Sequence, residues 1–299
     1  MNQILAASPL QPQAADIGFG KDRQWLARID LGFEPRHQRT ALPQLSHKGP
    51  LRVQRPFYPE GPVCHVYLLH PPGGLVSGDQ LSINATLAAG SEVLITTPSA
   101  GKIYKGDSYG ISQQQQLNLT LEGDSTLEWL PQETILYDGA LGQSKTRIEL
   151  AAESRFIGWE IICLGRPASD IRFTSGEFLQ DLAIYREGLP LLLEKQYLQA
   201  GSALAEQQWG LQGYAIVGNL YAVGFEQPPL ELIDRLRAQL DNDAGTDAKV
   251  AVTWRQGVLV VRYLGSDSEQ ARNCFTALWQ LIRPVLSGRE ASIPRIWLT

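Results

Sequence analysis

Three acidic residues stand among neighbours that are wrong for a solvated charge. Glu160 lies inside Phe156-Ile157-Gly158-Trp159-Glu160-Ile161-Ile162-Cys163-Leu164, where residues of both parities are apolar. A strand of that kind is covered on both faces, so a carboxylate within it needs a partner, a metal ion or a raised pKa. A buried arginine, Arg166 for example, would satisfy it as a plain ion pair. Glu194 follows Leu191-Leu192-Leu193 and precedes Lys195, and its ordinary reading is a strand residue turned outward beside that lysine. Asp79 closes His70-Pro71-Pro72-Gly73-Gly74-Leu75-Val76-Ser77-Gly78-Asp79, a stretch that must turn tightly. An aspartate after glycine commonly bonds its own backbone in such a turn. Two carboxylates about 5–9.5 Å apart in an open groove would do acid–base work on a glycosidic bond. Glu160 and Glu194 therefore also define an alternative, a β-rich hydrolase.

Other enzyme motifs fail on their surroundings. Gly106-Asp107-Ser108-Tyr109-Gly110 matches the nucleophile-elbow pattern, which requires a helix after the serine and a later histidine. The residues that follow alternate as a strand, and the last histidine is His70. Gly101-Lys102 invites a phosphate-loop reading, but Thr96 stands where the first glycine is needed and Ile103 replaces the metal-binding hydroxyl. Nucleotide chemistry would have to come from another chain.

Soft and imidazole ligands are scarce, with four His, three Cys and a single Met in 299 residues. Zinc-finger and ferredoxin-like sites need several of these at fixed spacing. Cys64 and His65 are adjacent on an expected strand and point to opposite faces, so they do not chelate one ion together. Cys64, Cys163 and Cys274 are odd in number and far apart, which implies no disulfide framework.

The elements that must position these residues are mostly strands. Leu117, Leu119 and Leu121 alternate with polar residues, the period of a half-buried strand. Similar runs occur at 51–58, 63–69, 92–96, 147–150, 171–173 and 214–225. Gly, Pro, Asp and Ser break them at short intervals, the rhythm of a sandwich, barrel or β-solenoid. No sequence period of a repeat protein is evident. Two helices are expected late in the chain. Pro229 precedes a stripe of Leu232, Ile233, Leu236 and Leu240. Ser266-Asp267-Ser268-Glu269 has capping-box spacing with Ser266 as the cap, and Phe275, Leu278, Trp279 and Ile282 form an apolar face ending at Pro284. Residues 249–253 and 258–264 read as a hairpin about Arg255-Gln256-Gly257. Residues 1–24, rich in Ala, Gln and Pro, are expected to form a mobile arm before a single domain over 25–299, whose helical and hairpin part covers about 228–290.

The formal net charge of −5 argues against a nucleic-acid partner, which wants clustered Lys and Arg. No apolar stretch approaches the roughly 18 residues that span a bilayer. The apolar run at residues 4–7 is too short for a signal peptide, so a cytoplasmic location is expected. Charged residues make up only 19% of the chain, in keeping with a surface partly covered by partners.

Several ordered blocks resemble the urease accessory protein UreD (UreH) family. They are Leu51-Arg52-Val53-Gln54-Arg55-Pro56-Phe57-Tyr58-Pro59-Glu60, Cys64-His65-Val66-Tyr67-Leu68-Leu69, the turn from His70 to Asp79, Leu94-Ile95-Thr96-Thr97-Pro98 and Glu128-Trp129-Leu130-Pro131-Gln132. The likeness continues through Cys163-Leu164-Gly165-Arg166-Pro167 and Pro294-Arg295-Ile296-Trp297-Leu298-Thr299, and covers residues 25–299. It implies a mainly β, β-helix-like stack with two late α-helices. It also implies a non-catalytic maturation factor that binds apo-urease and recruits UreF, which holds the GTPase UreG, with no tightly bound cofactor and Ni²⁺ in transit. Asp79, Glu160 and Glu194 match family positions along an internal nickel passage, where isolated oxygen ligands hold the ion loosely enough to release it. Two departures stand out. Ser77 replaces a usual glycine, and Pro98-Ser99-Ala100-Gly101-Lys102 lacks the hydroxyl residue usual before the lysine.

Overall fold

The computed structural model describes residues 23–242 and 247–298, so the expected N-terminal arm falls, up to residue 22, outside the described residues. Two sheets face each other. The first contains β1 (Trp25–Arg36), β2 (Arg39–Lys48), β5 (Asp79–Leu87), β8 (Gln113–Leu121), β11 (Leu141–Leu150), β13 (Glu177–Arg186) and β14 (Leu189–Gln199), in the order β14-β13-β11-β8-β5-β1-β2. The second runs β16-β17-β15-β12-β9-β6-β4-β3. Its strands are β3 (Arg52–Val53), β4 (Cys64–Leu69), β6 (Glu92–Thr96), β9 (Thr126–Leu130), β12 (Arg155–Leu164), β15 (Ile216–Val223), β16 (Lys249–Arg255) and β17 (Val258–Gly265). Short strands β7 (Gly101–Ile103) and β10 (Thr134–Leu136) turn the corner beside it, β10 pairing in parallel with β7 on one side and with the end of β12 on the other.

From β4 to β13 the chain coils. It passes from one sheet to the other and returns one strand further along, so that β5, β8, β11 and β13 are parallel neighbours in one sheet and β4, β6, β9 and β12 in the other. The coil advances once roughly every 30 residues, as the pairs Gln80–Gln114, Gln113–Gly142 and Gly142–Phe178 show. The expected β-helix-like stack is therefore present. The repeat is structural and has no counterpart in the sequence, because rungs of unequal length fix only which positions face inward.

Alternating residues make the inner layer. Leu81, Ile83, Ala85 and Leu87, then Leu117, Leu119 and Leu121, then Ile148 and Leu150, then Leu182 and Ile184 pack against Phe156, Tyr221, Val223, Val258 and Val260 of the second sheet. The outer face of the second sheet is covered by α2 (Leu230–Asn242) and α3 (Ser268–Ser287), the two late helices, with Phe275, Leu278, Trp279 and Ile282 packed on Ile157, Trp159 and Ile161. A single-turn α1 (Ala203–Glu206), capped by Ser202, was not legible from periodicity.

Four local expectations are corrected. The cap of α3 is Asp267, not Ser266: its carboxylate accepts from the N–H groups of Glu269 and Gln270. A charged acceptor at a helix N-terminus outcompetes a neutral hydroxyl. The helix also continues past Pro284 to Gly288, whose φ of +69° ends it. Gln280, whose carbonyl loses its helical donor to the proline, lies on the exposed face. Residues 171–173 form no strand; Ile171 makes one bridge to Arg166 after the tight turn Pro167–Ser169. Over 51–58 the ladder is limited to Arg52–Val53 and a bridge from Phe57 to His65, with Pro56 between them.

Candidate functional site

A row of polar side chains crosses the interior. On the first sheet, Gln115 pairs with Ser144, Ser144 with Gln180, and Gln180 with Gln196, all on the inward parity. On the second sheet, Glu160 pairs with Asn219 and Asn219 with Arg262, also inward. Apolar clusters flank the row: Leu117, Ile148, Leu182 and Phe156 on one side, Phe178, Leu198, Ile162 and Val217 on the other. A continuous apolar core would be cheaper to bury, and here the polar side chains bond one another across the interior, as Thr146 and Gln180 do with Glu160.

A cavity of about 340 Å³ opens on one end of this row. Glu160, Gln115, Ser144 and Gln180 line its inner part, and His70, Thr97, Lys102 and Thr134 line it nearer the corner strands. The cavity ends of its walls are set by the tight turn after β4, where the Gly73 N–H donates to the His70 carbonyl at 2.8 Å. Gly74 must be glycine, because a Cβ there would lie 2.5 Å from the Tyr104 ring. At Gly101 a Cβ would be 3.6 Å from Thr134 Oγ1, an ordinary contact, so a small side chain would fit there.

Glu160 has the environment that its apolar strand implied, but not the expected arginine. Its carboxylate accepts from Thr146 Oγ1 at 2.9 Å and from the amide of Gln180. Among the described residues, no Lys, Arg or His forms an ion pair with it. Arg166 instead lies over the Tyr137 ring at 4.7 Å. Burial pushes the Glu160 carboxyl above the usual carboxylate range, and the neighbouring charge of Glu194 adds to this against the two hydrogen bonds.

Glu194 does not turn outward beside Lys195. It shares the inward parity with Gln196 and Leu198, accepts from the Tyr221 hydroxyl at 2.9 Å, and pairs with Arg262, which also donates to Asn219 Oδ1 at 2.8 Å. Desolvation lowers the Arg262 pKa, but the Glu194 carboxylate outweighs it and holds the guanidinium charged. The structure thus places Glu160 and Glu194 near one another on the polar row. Asp79 lies elsewhere: it is 4% exposed, accepts from the Val76 N–H at 2.8 Å, and does not line the cavity. Its turn needs Gly78 at φ +89°, while Ser77 is unstrained and its hydroxyl accepts from the Asp107 N–H at 2.9 Å.

A second set of acids was missed. Glu128, on β9, accepts from Arg283 Nε at 2.9 Å and Trp279 Nε1 at 2.6 Å of α3; Arg283 also binds Glu60, which contacts His65 Nε2 at 2.6 Å. Arg283 is completely buried, so this network locks the helix to the sheet. Glu128 stands between Leu127 and Trp129, the same signature that marked Glu160. Burial pushes the thiols of Cys64 and Cys163 up to about 11 and about 12, which keeps them protonated and poor metal ligands. Among the described residues no group of three or more His, Cys, Asp or Glu is placed to hold a metal ion, and no helix is long and apolar enough to cross a membrane.

Together these features define a β-coil scaffold with helices on one face and a polar, partly acidic row through its core. The chain belongs to the UreD family of urease accessory proteins, and its role is accessory to urease. A family model described as UreD urease accessory protein matches residues 26–298. The urease accessory protein UreD of Marinobacter nauticus is 47% identical, covering 99% of this chain and 100% of that protein. UreD of Saccharophagus degradans is 46% identical over 93% of this chain and 94% of its own length. UreD 1 of Psychrobacter cryohalolentis is 42% identical, covering 99% of both chains.

Proposed function

We propose that this protein is a cytoplasmic maturation scaffold with no turnover of its own. It recruits UreF, and through it the GTPase UreG, to apo-urease, and conducts Ni²⁺ toward the urease active site. The observation that carries this reading is the uncompensated Glu160 carboxyl on the wall of an internal cavity, continued by Asn219 and Glu194 along one polar row. A permanent structural acid would be expected to have a cation beside it, as Glu128 has Arg283. Oxygen donors spaced along a row bind a divalent ion weakly enough to pass it on. Glu160 serves as a way-station, and Glu194 joins it only by exchanging its Arg262 partner for the ion. Asp79, whose oxygen is taken by Val76, enters as the residue that fixes the turn leading from His70.

The hydrolase alternative fits less well, because Glu194 is held by Arg262 and Tyr221 and both acids lie between two sheets rather than in an open groove. The test is a pull-down of tagged Glu160→Ala chain from cells expressing the whole urease cluster. Partners should be recovered as with the wild type, while the nickel content of the recovered urease falls several-fold. Wild-type nickel content removes Glu160 from the passage.

A further inference from the structure

The outer face of the first sheet is left open by α2 and α3, which pack on the second. On the central strands β5 and β8 that face is made for water, with Ser82, Asn84, Gln116 and Asn118 pointing outward. Its last two strands differ. Leu179, Ala183 and Tyr185 point outward on β13, and Leu193 and Tyr197 on β14, where they are 61% and 46% exposed. Single exposed leucines are ordinary, but a continuous apolar cluster marks an interface. The cluster also has relief, because the β14 residues stand proud while the β13 residues beside them are half-buried. One charged row interrupts it, with Lys195 directly opposite Asp181. Among the described residues neither forms an ion pair within the chain.

We infer that this face is a contact between two copies of the chain, related by a twofold axis running along the strands. Such an axis lays the β14 ridge of each copy in the β13 furrow of the other. It also keeps the cross-strand rows in step. Leu193 then meets Ala183 of the second copy, Tyr197 meets Leu179, and Lys195 meets Asp181. Large residues fall on smaller ones, and each charge falls on its opposite. A twofold axis across the strands would instead set Asp181 on Asp181 and Lys195 on Lys195, which like-charge repulsion disfavours. The second copy is favoured over another protein because the face supplies its own complement in shape and charge. The contact joins faces, as in aligned sheet packing, and leaves the edge of β14 unpaired. A face two strands wide is small for a specific interface, so the dimer is expected to be weak and to exchange with monomer.

Charge reversal tests this with the full chain in sedimentation equilibrium. The wild type should show monomer exchanging with dimer. Asp181→Lys sets lysine against lysine twice in the dimer, and Lys195→Asp sets aspartate against aspartate twice. Each variant alone should lose roughly ten-fold or more in its association constant. Mixed in equal amounts, the two should associate again as a heterodimer, because every lysine of the row then faces an aspartate. Leu193→Asp should abolish association in any combination. These side chains face water, and melting midpoints near the wild-type value verify that each variant is folded. A wild type that stays monomeric at its highest soluble concentration overturns the proposal. So do single variants that associate as the wild type does, or a mixture that stays monomeric. If the wild type is monomeric and Leu193→Asp loses one identified urease-cluster protein in a pull-down, the face belongs to that protein instead.

Discussion

Gln180 and Glu160 meet across the interior, the amide of the first donating to the carboxylate of the second. One stands on β13 and the other on β12, so their bond ties the two sheets together where the core is polar. Neither brings a positive charge, and the cost of ionising Glu160 therefore appears in the stability of the fold.

That cost has a sign. The folded-state pKa of Glu160 is raised by burial, so the native state binds a proton between the ordinary carboxylate range and the raised value. Stability from this group is lost as pH rises through that window. Glu160→Gln removes the dependence, with the Gln180 amide free to reverse and accept. Melting midpoints measured across pH should show no advantage for the variant at acid pH and a growing one toward neutrality. An advantage independent of pH contradicts the burial argument.

Glu194 should behave differently. Its partner Arg262 has a side chain 52% exposed, and pairs of this kind contribute about 0–1 kcal/mol. Glu194→Gln is expected to leave the melting midpoint nearly unchanged while lowering nickel in co-expressed urease. Unchanged nickel content would confine Glu194 to a structural pairing with Arg262 and Tyr221.

The Arg283 network is structural and should answer to urea rather than to nickel. Arg283→Met leaves the buried Glu128 without its cation, at about 3–5 kcal/mol. Arg283→Lys should recover only part of this, because a single ammonium cannot match the guanidinium that reaches Glu128 and both oxygens of Glu60. Equilibrium unfolding in urea reads both values.

The β16–β17 hairpin turns on Gln256 and Gly257, both with positive φ, at +50° and +82°. Gly257→Ala should cost about 1–2 kcal/mol, the price of a left-handed residue with a Cβ. Gln256→Asn should gain a few tenths, since asparagine tolerates that conformation better. Unfolding midpoints of the two variants should move in opposite directions.

Much of this was legible in the residues. The leucines at 117, 119 and 121 marked a half-buried strand, and all three pack inward. The two-sided apolar run around Glu160 implied cover on both faces, which the first sheet and α3 provide. Arg166 was one candidate partner by sequence and does not pair with Glu160, because the chain reverses after it and carries it over Tyr137. Gln115, Ser144 and Gln180 read as ordinary polar residues; only the register of three parallel strands, set by rungs of unequal length, brings them into one row. Arg283 was hidden differently, as a cation on an otherwise apolar helix face whose partner Glu128 is 155 residues away.

Parallel coils invite polymerisation, since the last rung of one molecule can seat the first rung of the next. Here each end of the first sheet is finished by an antiparallel hairpin, β1–β2 at one side and β13–β14 at the other. Both outer strands carry a proline, Pro43 or Pro190, and a lysine, Lys48 or Lys195, and each hairpin has an irregular register. Such edges resist pairing with a second chain. In the first sheet, strands that could stack on a second copy are thereby closed off at both edges.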